Sequence, residues 1–197
     1  MKKLFIATLF ATLMVLGTAT VQADVYTFQP SPEDLWDLSH AYAYEWGIEW
    51  NHTNEAITEI TLSFDNIYNW QPEENWLYLN LLDNPTIGTN RIYDYFVAPV
   101  DGNEFEGMGT YIDTYTDPIG GGPGIDISFN LSDYDGLITT ANQYASDGVF
   151  GFGIDPDCHF YNDGVTVTVT TTAVPEPTTL ILLGAGLAGL GLYRRKK

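Results

Sequence analysis

The sequence predicts an all-β fold: an antiparallel β-sandwich, jelly-roll-like, with one short helix, set between a signal peptide and a C-terminal transmembrane helix. Three observations predict it. Large apolar residues alternate with small or polar ones through the middle of the chain. Turn-forming residues cluster between the alternating stretches. The stretches themselves, eight or nine at regular intervals, are too short for anything but strands.

The first element, residues 1–23, reads as a secretory signal peptide. Lys2 and Lys3 supply its positive start, and Leu4 to Leu16 is almost continuously apolar. Val21-Gln22-Ala23 offers small residues at the −3 and −1 positions, which places cleavage between Ala23 and Asp24. An uncleaved N-terminal anchor is the alternative. Removing both ends of the 197-residue chain leaves about 150 residues, enough for one domain with its own core.

That domain is expected over residues 24–170. In "AYAYEWGIEW", Tyr42, Tyr44, Trp46, Ile48 and Trp50 alternate with Ala41, Ala43, Glu45, Gly47 and Glu49. A strand with one large apolar face has this pattern, and strict alternation assigns Trp46 and Trp50 to the core. Ile60, Leu62 and Phe64 alternate with Glu59, Thr61, Ser63 and Asp65 in the same way, as do Val165, Val167 and Val169 with threonines. Shorter strands are expected at 76–82, 92–97, 110–115, 125–130 and 149–154. Turn chemistry separates them, as in Asp83-Asn84-Pro85, Asp101-Gly102-Asn103 and Gly120-Gly121-Gly122-Pro123-Gly124. The expected helix lies in "LSDYDGLITTANQYASDG", where Leu137, Ile138, Ala141 and Tyr144 fall at helical spacing and Asp147-Gly148 ends it.

Charge is the strongest compositional signal. Of the seven basic residues only Arg91 lies between Asp24 and Ala173, whereas every acid but Glu176 does, so this stretch carries 25 acids against one base, a net charge of −24. Such a domain repels nucleic acid and anionic membrane surfaces, and it attracts divalent cations. Its aromatic and β-branched content is the opposite of a disordered composition. Cys158 is the single cysteine, so no internal disulfide can form. It reads as a buried small apolar residue, or else as one half of an intermolecular bridge.

The chain closes with residues 171–177 as an extended linker, 178–193 as a transmembrane helix and 194–197 as a basic cytoplasmic tail. Thr178 to Tyr193 is a run of 16 uncharged residues. As a helix it spans about 24 Å, somewhat less than the roughly 30 Å of a bilayer's hydrocarbon core. Arg194 to Lys197 hold the C-terminus on the cytoplasmic side and leave the domain on the other. Gly184, Gly186, Gly189 and Gly191 suit either a close helix contact or a segment that need not last.

Pro175-Glu176-Pro177, the glycine-rich apolar helix and the terminal Arg-Arg-Lys-Lys, in that order, resemble the PEP-CTERM sorting signal of Gram-negative bacteria. The resemblance covers only this tail. It implies recognition of Pro175, Glu176 and Pro177 by an exosortase, a membrane-embedded transpeptidase-like enzyme. It further implies membrane anchoring before processing, then delivery to the cell surface or an exopolysaccharide matrix.

Within the domain, "GFGIDPDCHFYNDG" places Asp155, Asp157, Asn162 and Asp163 within nine residues, an oxygen-rich set suited to Ca²⁺. Pairing of the first strand with the last brings "PSPEDLWDLSH" alongside, with Glu33, Asp34 and Asp37 as further candidates. Ordinary turns at Asp155-Pro156-Asp157 and Asn162-Asp163-Gly164 are the alternative. His40, His52 and His159 are scattered, without transition-metal spacing. Trp36, Trp70 and Trp76, with Tyr68 and Tyr78, fall near strand ends, where flat rings can stack on sugars. The expected function is therefore a non-catalytic saccharide-binding sandwich that also binds Ca²⁺. A purely structural Ca²⁺-stabilised matrix protein and a carboxylate-dependent glycoside hydrolase are the alternatives. No nucleophile elbow, zincin helix or phosphate loop is present in the sequence, and no carboxylate pair stands out.

Overall fold

A computed structural model of the chain describes residues 23–52, 54–93, 102–117, 120–174 and 177–195. The signal peptide through residue 22, Pro175, Glu176, Lys196 and Lys197 lie outside them.

Two five-stranded antiparallel sheets pack face to face because the strands carry most of their large apolar side chains on one side, while Ala43, Leu82 and Phe105 form a small second cluster. The strands are β1 (Val25–Phe28), β2 (Tyr42–Glu49), β3 (Glu55–Asn69), β4 (Asn75–Asp83) and β5 (Gly88–Tyr93). After them come β6 (Gly109–Asp117), β7 (Ile125–Asn130), β8 (Val149–Pro156), β9 (Phe160–Tyr161) and β10 (Gly164–Ala173). The first sheet runs β1-β10-β3-β7, with β9 paired to the end of β3, and the second runs β5-β2-β8-β4-β6. Without β5 and β9, the remaining eight strands follow the alternating two-sheet order of a jelly roll.

The alternating residues meet in one core. Tyr44, Trp46 and Ile48 of β2 with Trp50 just after it, Leu77, Leu79 and Leu81 of β4, and Phe150, Phe152 and Ile154 of β8 face Ile60, Leu62 and Phe64 of β3 and Val165, Val167 and Val169 of β10. Helix α1 (Leu137–Tyr144) closes one end with buried Leu137 and Ala141. Asn142 pins it to β3 by accepting from Ile57 N (2.9 Å) and donating to Ile57 O (2.8 Å). Cys158 is buried, in keeping with its reading as a small core residue.

Among the described residues ten strands stand where eight or nine were expected, since the short β1 and the two-residue β9 carry too little alternation to be counted from sequence. The strand expected at 92–97 begins earlier, at Gly88, and residues 94–97 lie outside the described ones. Its start is fixed by Gly47 on β2, which lets the neighbouring chain approach closely: a Cβ there would sit 2.2 Å from Thr86 O. On the outer face of the same sheet Gly153 leaves room for the Phe105 ring, whose nearest atom would lie 2.5 Å from an added Cβ. Strand β10 continues to Ala173, so Thr171 to Ala173 belong to the sandwich rather than to the linker. Helix α2 (Pro177–Arg195) covers the expected transmembrane segment. Among the described residues, however, no helix is long and apolar enough to cross a membrane.

Because β1 and β10 are antiparallel neighbours, with Val25 opposite Thr170, the chain enters and leaves the sandwich at the same end. Replacing Gly47 by Ala should force the Thr86 carbonyl away and loosen β5. The expected loss is about 1–3 kcal/mol, read as a lower urea midpoint with an unchanged slope.

Candidate functional site

Three places on the sandwich carry residues with functional chemistry. The first is the junction with the tail. Asp24, the residue after the expected cleavage point, accepts from Thr171 N (2.9 Å), so ordered pairing starts there. Val174 N donates to Asn54 O (2.9 Å), which leaves only Pro175 and Glu176 between the sheet and the first residue of α2, Pro177. Glu55 locks this end. Its carboxylate accepts from Tyr26 Oη (2.9 and 3.1 Å) on β1 and from the Thr171 hydroxyl on β10, and His52 Nδ1 lies 3.7 Å away. The Thr171 hydroxyl, and after it that of Tyr26, hold the Glu55 carboxyl below its ordinary value of 4.5 against the opposing effect of burial. Burial and the bond to Glu55 push the Tyr26 phenol up to about 12.

The second place is the oxygen-rich end opposite. As the pairing of first and last strands requires, the segment before β2 lies against the loop before β10. Val165 N donates to Glu33 O (2.8 Å) and Asn162 Nδ2 to Asp34 O (2.9 Å). The side chains expected to hold Ca²⁺ are nevertheless divided between the end of β8, the loops on either side of β9 and the segment before β2. Asp155 accepts from Glu104 N (2.7 Å), Asp157 from Trp76 N (2.7 Å), Asp163 from Asn66 Nδ2 (2.9 Å) and Asp34 from Trp36 N (3.0 Å). Asp37 sits in a left-handed turn near His159. Asn162 Oδ1 and His159 Nε2 are buried without a hydrogen-bond partner. Among the described residues no group of three or more His, Cys, Asp or Glu is placed to hold a metal ion.

One carboxylate pair that the sequence did not single out does form. Asp65 and Asp126 are hydrogen-bonded to each other and line a depression of about 350 Å³ with Ser63, Ser128 and Thr166. That bond, burial, and the charges of Asp126 and Asp163 raise the pKa of Asp65. The Asn66 backbone N–H and the bond to Asp65 lower that of Asp126.

The third place involves the tryptophans, which the fold separates. Trp36 lies beside the β5 edge, against Arg91 and Tyr44. Trp70, after β3, is hydrogen-bonded to the Cys158 thiol and packs near His159. Trp76 projects from the outer face of the second sheet, in line with Tyr78 and Asn80. There a groove of about 380 Å³ opens between β4 and β6, lined by Tyr78, Asn80, Asn103, Glu106, Tyr111 and Thr114. A bulge makes it: Leu79 pairs with Asp113 but Asn80 with Tyr111, and the extra residue turns Tyr111 outward while Ile112 stays buried. The wall is fixed by Asn103 Nδ2 on Asn80 Oδ1 (2.7 Å) and by the Asp155 bond to Glu104. Tyr78 belonged to the expected set. Tyr111, Asn103 and Glu106 did not, because their convergence depends on the bulge and on the loop before β6.

These features define an acidic, disulfide-free β-sandwich domain joined to a separate helical tail. Residues 173–197 match the family model of the PEP-CTERM protein-sorting motif. The chain therefore carries a sorting signal, which implies export, membrane anchoring before sorting, and processing by exosortase. No curated protein matches the chain.

The Glu55 lock makes the tail junction sensitive to acid. Its folded pKa is depressed, so its stabilisation is complete above the ordinary value of 4.5 and disappears as pH falls through the lowered one. Glu55→Gln should lower the urea midpoint at pH 7, and the gap from the parent protein should close towards pH 3. A gap of constant size across that range would refute a charge-dependent lock.

Proposed function

We propose that this chain is an exported cell-surface or extracellular-matrix protein whose sandwich binds saccharide, without catalysis, in the groove between β4 and β6. The observation that carries the reading is the lining of that groove. Tyr111, 51% exposed, and Tyr78 offer flat rings to the apolar face of a sugar, and Trp76 extends the same surface along β4. Asn103, Glu106 and Thr114 supply donors and acceptors for sugar hydroxyls. An exopolysaccharide is the matching partner at the destination that the tail implies. On this reading the tail is held in the membrane with its basic end in the cytoplasm until exosortase acts at Pro175, Glu176 and Pro177, and the domain is then delivered to the surface.

The one pair of acids found in contact among the described residues lacks the separation that glycosidic cleavage requires. Glycosidic cleavage needs two carboxyl groups at least about 5 Å apart, with the bond between them. Asp65 and Asp126 are in direct hydrogen-bond contact. A structural Ca²⁺ role draws less support, since Asp155, Asp157, Asp163 and Asp34 each accept a hydrogen bond from a different part of the fold.

Calorimetry against neutral and acidic glycans tests the groove. Tyr111→Ala and Trp76→Ala should each weaken binding about tenfold, with melting temperatures unchanged because both side chains are exposed. Silence across a broad glycan array would overturn the reading. For the tail, mass spectrometry of protein recovered from the cell surface should show a C-terminus near Pro177. An intact Lys197 would show that sorting had not taken place.

A further inference from the structure

Arg91 is the only lysine or arginine between Asp24 and Ala173, in a stretch with 25 acids. Coulomb attraction alone would surround it with carboxylates. Among the described residues no carboxylate pairs with it and none accepts a hydrogen bond from it. Its guanidinium carbon lies instead 4.3 Å from the Trp36 ring centre and 4.7 Å from that of Tyr42. The cation thus sits over two rings, which accept none of its N–H donors as a carboxylate would. Arg91 is exposed, as are Trp36 (37%) and Tyr93 (63%), whose ring meets Tyr42 edge-on at 5.6 Å.

The backbone that presents Trp36 is itself unusual. Leu35, Trp36, Asp37 and Leu38 all have positive φ, between 41° and 56°, a left-handed run that costs roughly 1–2 kcal/mol per residue. Leu35 and Leu38 are fully buried and hold the run at both ends, leaving Trp36 outside against the arginine. A strained turn held in this way fixes the ring over the cation before any ligand arrives.

We propose that Arg91, Trp36, Tyr42 and Tyr93 form a second binding site, which takes a single carboxylate-bearing sugar residue such as a uronate. The carboxylate pairs with the outward edge of the guanidinium, where two parallel N–H groups match its two oxygens. The sugar ring lies along the exposed faces of Trp36 or Tyr93. A densely charged polyanion is excluded by the net charge of −24 around the site, whereas one carboxylate flanked by apolar ring carbons meets little repulsion. The site is on β5, at the opposite edge of the second sheet from the β4–β6 groove, so the two can be tested apart.

The test is calorimetry on the full-length chain in detergent with a uronate oligosaccharide and the neutral oligosaccharide of the same linkage. The parent protein should favour the uronate at least tenfold, and Arg91→Met should abolish that preference. Arg91→Lys controls for folding: it keeps a cation over both rings, so its melting temperature should hold while the preference falls severalfold for want of the fork. Tyr111→Ala should weaken the neutral ligand and leave the Arg91-dependent preference intact. The proposal is overturned if the preference survives in Arg91→Met, if it is undiminished in Arg91→Lys, or if it vanishes in Tyr111→Ala alone. Competition by a short acidic peptide as effective as the uronate would also overturn it, because the sugar ring would then contribute nothing.

Discussion

A domain with 25 carboxylates and one arginine must satisfy its acids with neutral donors, and most of the loop structure follows from that constraint. Backbone N–H groups do much of this work. Asp126 takes that of Asn66, Asp155 that of Glu104, Asp157 that of Trp76, Asp117 that of Gly120 and Glu45 that of Thr86. Hydroxyl and amide groups supply more: Asp113 accepts from Tyr134, Glu59 from Asn130, and Glu55 from Tyr26 and Thr171. A hydrogen bond to an ionised acceptor is about twice as strong as a neutral one, so each such carboxylate fixes a turn firmly without a cation. Asp65 and Asp126 lie in contact as well, and that contact raises the pKa of Asp65.

The same constraint explains what could be read from the sequence. Alternation of apolar residues located the core strands β2, β3 and β10, because burial on one face imposes a period of two whatever the loops do. The return of the first strand to the last was legible too, and it brought Glu33 and Asp34 to the loop before β10 as expected. The roles of Asp155, Asp157 and Asp163 were not legible. An aspartate that satisfies a turn and one that binds calcium look identical in a one-dimensional pattern, and only the position of the nearest N–H separates them. Tyr111 escaped for a different reason: its outward aim comes from one extra residue in β6, and a bulge leaves almost no trace in composition.

The proposed sites are distributed over the sandwich in a way that its topology allows. Both chain ends occupy one end of the domain, beside the Glu55 lock and α1. The groove occupies the outer face of the second sheet towards β6, and the Arg91 cluster the far edge at β5. Neither surface is obstructed by the tail junction, so a domain held at its end leaves both sides open to ligands.

The strand that carries the tail is also placed for mechanical duty. β10 is ten residues long and lies between β1 and β3, hydrogen-bonded to both, with Ala173 as its last residue before the tail. Tension applied through the tail, against a ligand gripped elsewhere on the domain, pulls β10 along its own axis. Two ladders then bear the load in shear, and their bonds must give way together. An edge strand pulled the same way would share the load over one ladder rather than two. Resistance to such a pull is set by the rate of forced unfolding rather than by equilibrium stability.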